Sequence, residues 1–103
     1  MKPTEVNILG QVYKIEYCKN ASEVDIDHRQ SLWGQIDYWT QTIRVYDNNS
    51  PEAKIMQTLI HEVLHGIAGQ LHMKLNKEEN HDELDILAMS LYDVMKRNDW
   101  LKD

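Results

Sequence analysis

Two histidines four residues apart bracket a glutamate in His61-Glu62-Val63-Leu64-His65. On a helix, residues at i and i+4 lie ~40° apart around the axis and about 6 Å apart along it, so both imidazoles can reach one ion. Neutral imidazole nitrogen binds zinc at ~2.0–2.1 Å. Glu62 falls on the neighbouring strip of the same turn. There it can face a water at the ion more easily than it can join both histidines as a ligand. The chemistry this suits is metal-assisted hydrolysis. The ion lowers the pKa of its water toward ~7, and Glu62 takes the proton as general base and returns it to the leaving amine. The competing reading is a surface helix with two solvated histidines.

A catalytic zinc keeps three protein ligands and one open position. Candidates for the third stand together at His81, Asp82, Glu83 and Asp85. Asp82 projects nearly opposite the apolar stripe of its helix. His81 and Glu83 flank that stripe on either side, so helical phase leaves both open. The acids also read as first-turn residues favoured by the helix dipole. His72 shares the angular face of His61 and His65 but lies about 10.5 Å past His65 along the axis, too far for the same ion. His28, in a polar stretch, has no assigned role, and Cys18 reads as a buried or half-buried thiol.

The helix that must carry the motif is the clearest element. Ser50 suits the N-cap and Pro51 the first helical position. Ile55, Met56, Leu59, Ile60, Val63, Leu64, Ile67 and Leu71 then recur at steps of three and four. The stripe centres near Ile60 and Ile67, which puts His61 and His65 more than about 90° away on a second surface. Gly66 and Gly69 each cost roughly 1 kcal/mol against alanine in a helix interior. They imply either a fraying end or the close approach of a backbone or substrate. A second helix begins at His81 or Asp82, carries Leu84, Leu87, Ala88, Leu91 and Met95 as its stripe, and fades at Asn98-Asp99. A polar connection, 73–80, joins the two helices.

The first half reads as two hairpins: 6–9 with 12–17 around Gly10-Gln11, and 32–39 with 42–46 around Thr40-Gln41. Tyr13, Ile15 and Tyr17 form the likelier buried face of one strand; Ile43 and Val45 share a face of another. Residues 19–30 form a polar loop with one short helical turn. The strand 42–46 immediately precedes the motif helix, so a peptide could add to its edge, with Arg44 and Tyr46 on one side. An ordinary amphipathic strand is the simpler reading of those residues. With no phenylalanine in the chain, Trp33, Tyr38, Trp39, Tyr92 and Trp100 are expected to act as large structural pieces. The architecture implied is α+β: a small twisted antiparallel sheet packed on two main helices.

The 103 residues fit one domain, 1–103. A net charge of −6 and a pI near 5.2 argue against nucleic acid or an anionic membrane as partner. The single cysteine excludes a disulfide framework and a multi-cysteine zinc ribbon, and fits a reducing compartment. No apolar run approaches the ~18 residues of a membrane span, and the first residues lack a secretory signal's apolar stretch. A cytoplasmic location is expected.

Strand, turn, Leu59-Ile60-His61-Glu62-Val63-Leu64-His65-Gly66, linker, then Glu83-Leu84-Asp85-Ile86-Leu87-Ala88 resembles a minimal zincin. The likeness runs over roughly residues 35–95 and is greatest to the ImmA/IrrE-like metallopeptidases and the small phage-associated HExxH proteins related to them. Those families open the next helix with a glutamate in a pattern like E-x-x-x-[FL]-A, a register that falls on Glu83 with Leu87-Ala88. The resemblance implies one catalytic Zn2+ held by His61, His65 and Glu83, with Glu62 as base. It implies a protein or peptide substrate, by analogy a repressor of a mobile element. The crowding of His81, Asp82 and Glu83 departs from the family pattern, and no helix-turn-helix or sensor domain accompanies the motif. The alternative is a non-catalytic zincin-like module of a phage or mobile element that binds metal or a partner protein.

Overall fold

The computed structural model describes residues 2–101. Strands β1 (Glu5–Ile8) and β2 (Gln11–Cys18) form an antiparallel hairpin. Its turn is Leu9-Gly10, one residue earlier than expected, with φ of 52° and 92°. Two left-handed residues match the right-handed twist of the flanking strands, and glycine takes that conformation without a Cβ clash. The Gly10 N–H donates to Asn7 Oδ1 at 2.7 Å, which closes the turn. Strands β3 (Gly34–Asp37) and β4 (Thr42–Tyr46) form the second hairpin.

The sheet order is β1-β2-β4-β3, and β2 runs parallel to β4 with Ile15 opposite Ile43. The expected antiparallel sheet is therefore a mixed one. Period-2 alternation states which face of a strand is buried and is silent on the direction of its neighbour. The long connection from β2, which includes one short 3-10 turn (Ala21–Glu23), carries the chain back so that β4 can lie beside β2 in the same direction.

The expected inner face of β2 holds, with Tyr17 only partly buried. Tyr13 and Ile15 of β2 and Ile43 and Val45 of β4 pack with Ile8 against Ile55 and Leu59 of helix α1 (Glu52–Gln70). Ile43 and Val45 are fully buried, each contributing about 1.5–3 kcal/mol of burial. Helix α1 is capped by Pro51, whose carbonyl accepts the N–H groups of Lys54 and Ile55; no side chain caps it, so the N-cap falls one residue later than expected. At its other end His72 takes a left-handed φ of 53° while Met73 N–H reaches Ala68 C=O at 2.8 Å and His72 N–H reaches Gly69 C=O at 3.3 Å. This Schellman closure accounts for the backbone at His72.

The connection contains two 3-10 turns, Lys74–Asn76 and Glu78–Asn80, before helix α2 (His81–Arg97). Of the expected α2 stripe, only Leu84 and Ala88 are buried. The aromatic residues are not the core pieces anticipated: Trp39 is 97% exposed in the β3–β4 connection and Trp100 is 67% exposed. Aliphatic side chains and Tyr13 fill that space instead. Among the described residues no helix is long and apolar enough to cross a membrane.

Candidate metal centre

Helix α1 presents His61 and His65 on successive turns, and the first residue of α2, His81, comes to meet them. One donor nitrogen from each of the three lies within 4.8 Å of the others. The rings of His61 and His65 have centroids 4.8 Å apart; His61 and His81 are at 4.9 Å.

The orientation of the first two rings is set from behind. His61 Nδ1 donates to Asp85 Oδ1 at 3.2 Å, and His65 Nδ1 donates to Asn76 Oδ1 at 2.8 Å. Both partners are acceptors, so in the neutral rings the protons sit on Nδ1 and the Nε2 lone pairs are free. Those two Nε2 atoms face each other at 3.1 Å. Two lone pairs cannot hydrogen-bond without a proton or a cation between them. Two nitrogens on one tetrahedral ion with bonds of ~2.0–2.1 Å would be about 3.3 Å apart. The donor set therefore fits a divalent ion, and Asp85 and Asn76 are the outer partners that fix ring tautomer at such sites.

His61 is only 8% exposed. Its burial, followed by the neighbouring charges of His65 and His81, holds its pKa below the usual imidazole value; Asp85 opposes this in part. A depressed pKa keeps the ring neutral, the form that ligates a metal. The second surface on which His61 was expected is in fact covered: His61 is buried with Glu62, Gly66 and Ala68, as are Ile55 and Leu59 of the apolar stripe, while Ile60 and Ile67 at the stripe's centre are only partly buried.

The structure brings His81, and not Glu83, to the histidine pair. Glu83 is exposed, as is Asp82, and neither belongs to the cluster. Helix α2 docks through Leu84 and Ala88, and that docking turns the His81 and Asp85 side toward α1. Glu83 sits on the other flank. Asp85 acts behind His61 and not as a donor in the cluster. His72 and His28 are exposed and lie outside it.

Glu62 is 6% exposed. Burial pushes its carboxyl up to about 8, partly offset by a hydrogen bond from the Ile36 backbone N–H. It sits close under β3: a Cβ on Gly34 would lie 2.6 Å from Thr58 Cγ2 and 3.1 Å from Glu62 Oε2. Only glycine lets the strand approach this far. The Gly66 and Gly69 question resolves the same way. A Cβ on Gly66 would meet Ile8 Cδ1 at 2.7 Å and one on Gly69 would meet Tyr38 Oη at 2.8 Å, so both positions serve side-chain packing from the sheet.

Strand β4 was the anticipated edge, but it is paired on both sides and β3 is the edge. Tyr46 N–H donates to Trp33 C=O at 2.8 Å, and the alternation of an antiparallel pair then turns the N–H and C=O of Gly34 and Ile36 outward, where the Ile36 N–H meets the Glu62 carboxylate. That free edge borders a cavity of about 350 Å3 whose walls include His61, Glu62, His81 and Asp85. Arg44 and Tyr46 lie elsewhere: Arg44 pairs with Glu16 at 3.6 Å, and Tyr46 packs edge-on against Trp33. Asn76 and Tyr38, whose hydroxyl donates to the His65 carbonyl at 3.0 Å, support the site from segments that no pattern in the sequence links to it. Asp85, one of the candidates for the third ligand, stands behind His61 instead, one turn on from His81.

Comparison with protein-family models, with curated proteins and with solved structures gave no match.

Proposed function

We propose that this protein is a zinc-dependent peptide hydrolase in which His61, His65 and His81 hold the metal and Glu62 is the general base. The observation that carries the reading is the pair of Nε2 atoms facing at 3.1 Å with both Nδ1 positions already engaged, next to a buried glutamate on the same cavity. Zinc, when bound, would polarise the scissile carbonyl and acidify a water. The outward backbone groups of Gly34 and the Ile36 carbonyl would pair with an extended substrate, the Ile36 N–H being held by Glu62. Glu62, with a proton affinity near neutrality, would accept the proton of the water and deliver it to the leaving amine. Asp85 and Asn76 would keep the imidazoles aimed. The resemblance to ImmA/IrrE-like metallopeptidases suggests a repressor protein as substrate, and the single cysteine suits a cytoplasmic setting.

The test is Glu62→Gln. It should leave zinc content near one ion per chain by elemental analysis and reduce peptide hydrolysis by ~10²-fold or more. Full activity in that variant, or failure of the wild-type chain to take up zinc, would overturn the proposal. A second reading, zinc as a structural clasp between α1 and α2, draws on the thin packing of α2, which buries only Leu84 and Ala88. It predicts metal uptake with no hydrolysis in the wild-type protein.

A further inference from the structure

Resting on the hydrolase reading, we infer that the cavity beside the histidines selects a substrate with a negatively charged side chain near the scissile bond, and that Lys54 recognises it. Lys54 and Trp33 line the same cavity as His61, Glu62, His81 and Asp85. The Lys54 Nζ lies 4.5 Å from the Trp33 ring centroid. Among the described residues it has no carboxylate partner within ion-pair distance; Lys19, Lys74, Lys77 and Lys96 share that, but all four are exposed, whereas Lys54 is half-buried. It is the half-buried lysine that lines the cavity.

Its placement fits a substrate contact. Lys54 precedes His61 by seven residues, which is two turns on the same face and about 10.5 Å along α1. A peptide added to the β3 edge advances ~3.3 Å per residue. A glutamate side chain reaches roughly 5 Å beyond its Cα, from bond lengths near 1.5 Å. A glutamate one or two residues from the scissile carbonyl can therefore meet the ammonium. The Trp33 face keeps that ammonium from collapsing onto the surface, and a cation over an aromatic ring retains its outward N–H donors. The Asp85 carboxylate, engaged with His61, would disfavour a second acid beside it.

The test uses capped decapeptide libraries, randomised except at one position that carries Glu, Gln or Lys, with kcat/KM measured on the zinc-loaded protein. At one position Glu should exceed Gln by about fivefold, the scale of one charge-assisted contact at a partly exposed site. In Lys54→Met that ratio should fall to one, and in Lys54→Glu the Lys peptides should become the better substrates. Equal rates for Glu and Gln at every position, or a preference that survives Lys54→Met, would overturn the inference. If nothing is cleaved, the hydrolase reading fails separately. The same libraries titrated onto zinc-loaded Glu62→Gln protein, followed by the Trp33 indole N–H signal in NMR, then decide the matter. Tighter binding of Glu peptides that is lost in Lys54→Met supports the acidic subsite; equal or absent binding rejects it.

Discussion

The two helices carry the same kind of amphipathic pattern and are used in opposite ways. Helix α1 buries seven residues, from Ile55 to Ala68, with the sheet on one side and α2 on another. Helix α2 buries only Leu84 and Ala88, and leaves Ile86, Leu87, Met89 and Val94 exposed. The donors follow this division. His61 and His65 are held at a spacing that one rigid helix imposes, and the third donor arrives on an element attached by a narrow seam. A site built this way would couple metal uptake to helix docking, since anything bound by all three imidazoles must hold α2 against α1.

The sharpest way to break that contrast is at the third donor. His81→Ala should weaken zinc affinity by more than the ~10–100-fold typical of losing an outer partner, whereas Glu83→Ala should leave it unchanged. A competition titration with a chromophoric chelator measures both, and the reverse result would restore the carboxylate set. Next in size is the seam. Leu84→Ala should cost about 2–5 kcal/mol. Hydrogen exchange should show the loss of protection concentrated in residues 81–97 and not in the α1 core, and uniform loss would contradict the asymmetry.

Helix α1 carries a cost of its own. In the metal-free protein Glu62 has a folded pKa of about 8 against an ordinary value of 4.5. Its unfolded form ionises first, so this group erodes stability progressively as pH rises from 4.5 to about 8. Glu62→Gln removes that dependence and should stabilise the metal-free protein at pH 8 by on the order of 3 kcal/mol, with little gain at pH 4. Urea titrations at the two pH values check the sign. The smallest effect belongs to the supports behind the rings: Asp85→Ala and Asn76→Ala should each lower zinc affinity by ~10–100-fold while leaving the number of bound ions unchanged.

Much of this was legible before any coordinates. The 3.6-residue period placed α1 and put His61, Glu62 and His65 on adjoining strips of it. The start of α2, at His81 or Asp82, and the buried face of β2 were legible too. Other features were not. Parallel pairing of β2 with β4 leaves the same alternation as antiparallel pairing, and with it went the identity of the edge strand. The aromatic residues looked like core by size, yet Trp39 lies in the connection between β3 and β4 and Trp100 just past α2.

The sequence by itself determined the histidine pair with its glutamate, because helical geometry acts over four residues and needs no other part of the chain. Only the tertiary structure decided that His81 stands where Glu83 was expected, that Asp85 and Asn76 orient the rings, and that β3 lines the cavity. Each of those depends on how one element is rotated and seated against another, and that is settled by packing between residues far apart in the chain.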